Sequence, residues 1–198
     1  MTVSAEPLHP AWFTSAHPGP YTAEDLDRIP DLPPHTELID GNLIFVSPQA
    51  LFHFLAKAAI FNALERAVPP QLFAVQEMTV KLDAKTRPEP DLMVVDGEAV
   101  ISDRQTGFDA ADALLVVEVV SPESRSRDRK VKPGKYAAAG IPHFWLVDDA
   151  DGTTVVEVWK LDQELGSYAL GARFDEFLEV EEPFSVALDL RKVGRRLR

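Results

Sequence analysis

Residues 114–149 constrain the fold more than any other part of the sequence. They begin with a short apolar run, residues 114–120, which is rich in valine and is stopped by Ser121-Pro122. Such a run is typical of a β-strand buried on both faces. One carboxylate, Glu118, lies within it. Because an ionised carboxylate loses several kcal/mol of solvation on burial, we expect Glu118 to be paired, protonated or bound to a metal.

The remainder of this segment predicts a crossover between two strands. Residues 123–135 contain six Arg and Lys residues and two acids. Residues 136–139 then indicate a helix that ends at Gly140, and residues 143–148 indicate a second strand. Strand, helix and strand in this order form a crossover unit, with a carboxylate in its first strand. This pattern favours an α/β fold.

The composition is that of a globular protein with one hydrophobic core. The chain has 198 residues, of which 45% are hydrophobic and 26% are charged, and it contains no cysteine. Disulfides, thiolate metal sites and a cysteine nucleophile are therefore excluded. No stretch has the roughly 20 apolar residues of a membrane helix, and the first residues lack the pattern of a signal peptide. We therefore expect a cytoplasmic protein with no membrane partner.

The net charge limits how the protein could bind nucleic acid. At −12 it argues against strong non-specific attraction to DNA, which usually requires a basic face. Only two stretches are locally basic, residues 125–135 and residues 191–198. Any contact with DNA is therefore expected to be local.

The rest of the chain predicts one domain of short elements. Proline-rich residues 1–20 are predicted to be a flexible N-terminal arm, and residues 21–198 a single domain. A β-hairpin is expected around Asp40-Gly41-Asn42, a long helix over residues 49–68, and a surface loop over residues 96–113. A short helix is predicted over residues 22–28, and further strands over residues 73–75, 78–82, 91–95, 154–161, 168–170, 177–180 and 184–188.

Three acids accompany strands that should pair with one another. Glu37 lies in the predicted hairpin, Asp91 opens the strand at residues 91–95, and Glu118 lies in the next strand. Carboxylates gathered at one end of a sheet suit Mg²⁺, which prefers oxygen ligands and keeps several waters. With a nearby lysine, such a set would resemble a site that cleaves phosphodiesters with a metal-activated water.

Several motifs carry a resemblance to a known family. Their order and spacing, from about residue 21 to residue 161, resemble the Uma-two family of restriction-endonuclease-like proteins, within the PD-(D/E)XK nuclease superfamily. The motifs are Glu37-Leu38-Ile39-Asp40-Gly41, Pro90-Asp91, Val117-Glu118-Val119-Val120-Ser121-Pro122, Asp128 to Lys132, and Tyr136 through Gly140-Ile141-Pro142 to Trp145-Leu146-Val147-Asp148.

The resemblance implies both a fold and a reaction. The fold is a central mixed β-sheet flanked by helices. The site consists of Mg²⁺ or Mn²⁺ held by Asp91 and Glu118, with Glu37 as a further acid. The substrate is DNA, and we expect a homodimer because cutting two strands often uses two copies.

The position of the catalytic lysine departs from the superfamily pattern. The lysine that usually follows the second acid by two residues is replaced by Val120, on the same strand face as Glu118. In the family the lysine lies on the following helix, where Lys132 matches. Pro133-Gly134 follows at once, so either a helix begins at Pro133, which would place Lys132 at its N-terminus, or an earlier helix breaks there. Lys135 is the alternative lysine. The acid that the family has beside the second strand is also replaced, by His143.

Two other hypotheses compete with a Mg²⁺-dependent endonuclease. The first is a non-catalytic module that keeps the nuclease fold in order to bind nucleic acid or protein, which the acidic net charge favours. The second is a structural cluster in which the carboxylates pair with Arg125 or Arg129. His53, on the long helix, is expected to be a packed or hydrogen-bonded histidine and not a ligand.

Overall fold

A six-stranded mixed β-sheet lies at the centre of the protein in the computed structural model, which describes residues 19–193. The predicted arm at residues 1–20, except for its last two residues, and the basic residues beyond 193 lie outside the described residues. The helices are α1 (Leu51–Ala67) and α2 (Lys132–Ala138), and the strands are β1 (Glu37–Ile39), β2 (Asn42–Ile44), β3 (Leu72–Gln76), β4 (Thr79–Lys81), β5 (Leu92–Asp96), β6 (Gly107–Asp109), β7 (Ala113–Val119), β8 (His143–Ala150), β9 (Thr153–Asp162), β10 (Ser167–Phe174), β11 (Phe177–Val180) and β12 (Val186–Asp189).

The strand order of the central sheet is β10-β9-β8-β7-β5-β3. Strands β7 and β8 are parallel, with Glu118 beside Leu146, and every other neighbouring pair is antiparallel. A parallel pair needs a crossover connection, and α2 provides it. The α/β fold class with a mixed sheet flanked by helices is therefore confirmed, as is the strand, helix and strand order predicted for residues 114–149.

The two helices pack on opposite faces of the sheet. Successive side chains of β7 point alternately toward one helix and toward the other. Val117 and Val119 lie in a core cluster with Ile60 of α1. Val116 and Val120 lie in a second core cluster with Tyr136 of α2. Glu118 shares the alternation of Val116 and Val120, so it faces the side that α2 covers.

The predicted hairpin is formed by β1 and β2. Its turn residues, Asp40 and Gly41, have positive φ angles of 52° and 76°. A two-residue turn of this kind needs positive φ at both positions, which explains the Asp-Gly sequence. Leu38 also pairs with Arg87. This pairing ties the hairpin to the segment that leads to Asp91.

Helix α2 begins at Lys132 with Pro133 in its first turn, and a π-helical turn, Arg127–Val131, precedes it. Proline is tolerated there because the first helical N–H groups have no partner within the helix. The helix therefore begins one residue before the predicted Pro133. Lys132 is its first residue.

Some of the sequence predictions were incomplete. The surface loop predicted over residues 96–113 contains β6, which pairs in parallel with β4. The helix predicted over residues 22–28 is one 3₁₀ turn, Asp25–Asp27, and Asp25 accepts hydrogen bonds from the backbone and hydroxyl of Thr22. Within residues 19–193, no helix has the length and apolar character that crossing a membrane requires.

Candidate functional site

The ammonium group of Lys132 lies among three carboxylates. Its Nζ is 2.7 Å from Glu37 Oε1, 3.0 Å from Glu118 Oε1 and 3.5 Å from Asp128 Oδ1. Each of these four side chains is at most 5% exposed. Water therefore screens these charges little, and the ion pairs depend on one another.

Three separate elements bring these groups together. Glu37 opens β1, and its Oε1 also accepts a hydrogen bond from the backbone N–H of Glu89 at 3.0 Å. Glu118 comes from β7, and Lys132 is the first residue of α2. Lys135, the alternative, does not join them. Its Nζ lies 2.6 Å from Asp40 Oδ1, in an exposed pair.

Tyr136 is a further partner of Glu118. Its hydroxyl donates a 2.6 Å hydrogen bond to Glu118 Oε1. Tyr136 is fully buried, and its contact with Glu118 was not predicted from the sequence. Asp128, Lys132 and Tyr136 are spaced by four residues, so they share one side of the helical segment. That spacing is the signal that could have identified Asp128 and Tyr136.

The pKa values in this cluster are shifted by burial and by the neighbouring charges. Burial raises the pKa of Glu118 well above its ordinary value, and Asp128, Asp91 and Glu37 raise it further, against the opposing effect of Lys132. Burial disfavours the charge on Lys132, but Glu118, Glu37 and Asp128 outweigh it and hold the pKa of Lys132 well above its ordinary value. The surroundings therefore favour the positive charge of Lys132 and oppose the negative charge of Glu118.

Asp91 lies next to this cluster at the end of β7. In the antiparallel pairing of β5 with β7, Leu92 is opposite Val117, and continuing this register by one residue places Asp91 opposite Glu118. Asp91 Oδ2 accepts a 2.7 Å hydrogen bond from the backbone N–H of Val119. Its Oδ1 lies 2.8 Å from Nε2 of His53. The two acids predicted to hold a metal are thus neighbours on paired strands.

A cavity of about 360 Å³ opens beside Asp91. His53, Glu77 and Glu89 also line it, whereas Glu37, Glu118 and Lys132 do not. The side chain of Asp91 is 14% exposed, more than any acid of the Lys132 cluster. Asp91 is therefore the predicted site residue that a molecule in the cavity would meet first.

The chemistry of the donor groups fits a hard divalent cation. Carboxylate oxygens are the ligands that Mg²⁺ prefers, and Glu37 Oε2 is buried without a hydrogen-bond partner. In the described part of the chain, no group of three or more His, Asp or Glu side chains is arranged to hold a metal ion. Asp91 and Glu118 therefore have the donor chemistry that such an ion prefers, and water would have to supply its remaining ligands.

The arginines proposed as structural partners of the acids lie elsewhere. Arg125 and Arg129 both pair with Asp148, at 3.0 and 2.6 Å. The cation beside Glu118 is Lys132. The hypothesis of a carboxylate cluster held by Arg125 or Arg129 is therefore wrong about its cations.

The mixed sheet flanked by helices is the architecture that the family resemblance implies. The model of the Uma2 family, described as "Putative restriction endonuclease", matches residues 23–191. The chain therefore belongs to the Uma2 (Uma-two) family. The match extends 30 residues beyond residue 161, where the predicted resemblance ends, and includes β10, β11 and β12.

A solved structure shows the same fold. It is the crystal structure of "a putative nuclease belonging to DUF820 from Anabaena variabilis ATCC 29413". The TM-score is 0.62 at 18% sequence identity, over 81% of this chain and 89% of that chain. At this identity the likeness supports the fold alone. No curated protein matches the sequence.

Proposed function

We propose that the protein is a Mg²⁺-dependent endonuclease, also active with Mn²⁺, that hydrolyses phosphodiester bonds of DNA. The observation that carries this proposal is the meeting of Glu118, Lys132 and Asp91. Glu118 and Lys132 form a buried ion pair, and Asp91 is hydrogen-bonded to the residue next to Glu118. Two acids could hold the metal ion, and a lysine could stabilise the negative charge that develops during phosphodiester cleavage.

Each residue has a role that follows from its contacts. Asp91 and Glu118 would hold the divalent ion, which when bound polarises the phosphate and makes water more acidic. Lys132 would stabilise the negative charge that develops on the phosphate oxygens. Glu37 holds the ammonium of Lys132 from the hairpin side. Tyr136 fixes one oxygen of Glu118.

The cavity beside Asp91 is the proposed route for the scissile phosphate. Its acids Glu77, Glu89 and Asp91 repel an unaccompanied phosphate, so a bound cation would be needed for approach. This agrees with the acidic net charge of −12. We further propose a cytoplasmic homodimer, since two copies of the site are needed to cut both strands of a duplex together.

A cleavage assay tests the proposed function. The wild type would be incubated with supercoiled DNA, single-stranded DNA and RNA, in Mg²⁺, Mn²⁺ or EDTA. We expect metal-dependent cleavage of DNA that is lost in Asp91→Ala and Glu118→Ala. Lys135→Ala is the matched control, because this lysine lies on the same helix but pairs with Asp40 at the surface. Undiminished cleavage by both acid variants would refute the proposal.

A non-catalytic module that binds nucleic acid or protein is the second candidate. The burial of Glu37, Glu118 and Lys132 away from the cavity wall favours it. A Mn²⁺ titration of the wild type distinguishes the two. Binding of DNA together with absent Mn²⁺ binding and absent cleavage would establish the module.

A further inference from the structure

His53 and Asp91 form a buried pair at the wall of the cavity. His53 is 5% exposed, and its Nε2 lies 2.8 Å from Asp91 Oδ1. Both residues line the cavity. The proposed reaction assigns a role to Asp91 but none to His53, whose imidazole is the side chain in contact with that carboxylate.

The carboxylate of Asp91 has contacts from two different elements, one on each oxygen. The backbone N–H of Val119, at the end of β7, donates to Oδ2 at 2.7 Å. His53, from α1, approaches Oδ1. Contacts on both oxygens restrict the rotation of the carboxylate. Because each carboxylate oxygen has two lone pairs, both oxygens can still bind a cation.

The helix that carries His53 is firmly packed. Ala56, Ile60 and Leu64 of α1 are buried in the core cluster against the sheet. His53 is three residues before Ala56, so it lies on the same helix face. A histidine placed there has a fixed position relative to the sheet, as a positioning group requires.

We propose that His53 is a positioning residue that holds Asp91 in the orientation that binds the divalent cation. In this role Nε2 carries a proton and donates it in a hydrogen bond to Asp91 Oδ1, 2.8 Å away. The side chain of Asp91 is then already ordered in the metal-free protein, so metal binding would lose less side-chain conformational entropy. This inference rests on the proposed function, because it requires Asp91 to be a metal ligand.

The first experiment measures Mn²⁺ affinity by calorimetry, without any substrate. Loss of such an outer hydrogen-bond partner typically weakens metal binding roughly 10- to 100-fold, and we expect this for His53→Leu. His53→Gln can still donate a hydrogen bond from a similar position, so it should retain most of the affinity. His143→Gln is the matched control, because His143 is also buried but lies on β8, away from the cavity wall. Thermal unfolding of each variant checks that it is folded.

The second experiment uses NMR of the metal-free protein to test whether His53 donates a hydrogen bond to Asp91. We expect His53 to show the Nε2–H tautomer with a slowly exchanging imidazole proton, and Asp91→Ala to lose that slow exchange. The opposite tautomer in the wild type would overturn the inference, as would unchanged Mn²⁺ affinity in folded His53→Leu. A wild type that binds no Mn²⁺ would overturn the metal-dependent function and the inference together, so the two failures are distinguishable.

Discussion

Lys132 Nζ lies 3.0 Å from one oxygen of Glu118 and 3.1 Å from the other. The two residues are separated by 14 positions and belong to α2 and β7. The ammonium therefore faces the whole carboxylate group. The strand position where the superfamily has its lysine is occupied by buried Val120, and α2 supplies the cation from above that strand face.

Replacement of Lys132 should destabilise the fold as well as abolish activity. Lys132→Met keeps much of the side-chain volume but leaves Glu37, Glu118 and Asp128 buried without their cation. Breaking a buried ion pair in this way costs about 3 to 5 kcal/mol. We expect a loss of this size in the free energy of unfolding, measured by urea denaturation at pH 7. Lys135→Met should change it by less than about 1 kcal/mol, because its ion pair is exposed.

Replacement of Tyr136 should have a smaller effect at the same carboxylate. Tyr136→Phe keeps the ring that packs near Phe144 but removes the hydroxyl that donates to Glu118. A hydrogen bond to a charged group contributes about 1.5 to 3 kcal/mol, and we expect that loss in urea unfolding.

Tyr168→Phe is the matched control for Tyr136→Phe. The hydroxyl of Tyr168 donates to the neutral carbonyl of Ile141 at 2.8 Å, so its removal should cost about 1 kcal/mol. It should leave Mn²⁺ affinity unchanged, whereas Tyr136→Phe should lower it. Equal effects of the two variants on Mn²⁺ affinity would contradict the role given to Tyr136.

His143 should make the fold sensitive to mild acid. Burial lowers the pKa of His143 below its ordinary value of 6.5, and the charge of Lys160 lowers it further. The unfolded chain then takes up the proton at a higher pH than the native protein does. This contribution to stability is therefore fully present above about pH 6.5 and is lost as the pH falls through the lowered pKa.

The variant His143→Gln isolates this effect. We expect the free energy of unfolding to fall more between pH 7.5 and pH 5 in the wild type than in the variant. Urea denaturation at both pH values gives the two differences. An identical fall in both proteins would mean that His143 does not titrate differently in the folded state.

The sequence predicted the elements that are defined by local signals. The Asp40-Gly41 turn predicted the hairpin, and the helical spacing of apolar residues before Pro69-Pro70 predicted α1. Glu118 was identified as a candidate site residue because burying a carboxylate within a valine-rich strand costs free energy wherever that strand lies in the fold. These signals depend on a few neighbouring residues, so tertiary structure did not override them.

Other features depend on contacts that no local pattern encodes. Strand β6 has three residues, too few for alternation to be recognised, and it exists because β4 pairs with it. The contact between His53 and Asp91 depends on how α1 packs against the sheet, and the two residues are 38 positions apart. The position of Lys132 beside Glu118 follows a π-helical turn, Arg127–Val131, and the Pro133-Gly134 sequence did not predict that turn.

A lysine moved to residue 120 should partly replace Lys132. Val120 is on the same strand face as Glu118 and belongs to the core cluster of Tyr136, whose hydroxyl contacts Glu118. A lysine there costs about 1 to 3 kcal/mol in overpacking, which is less than the roughly 3 to 5 kcal/mol of uncompensated buried charge. We therefore expect Val120→Lys to restore part of the stability that Lys132→Met loses, as measured by urea unfolding.

The control for this exchange is Val120→Met in the same Lys132→Met background. It adds similar volume without charge, so it should lower stability further. In the cleavage assay, only the double variant with lysine at residue 120 should recover activity, because the ammonium would again lie on the strand face that carries Glu118. Equal stability of the two double variants would mean that the ammonium group of a lysine at residue 120 does not pair with the buried carboxylates.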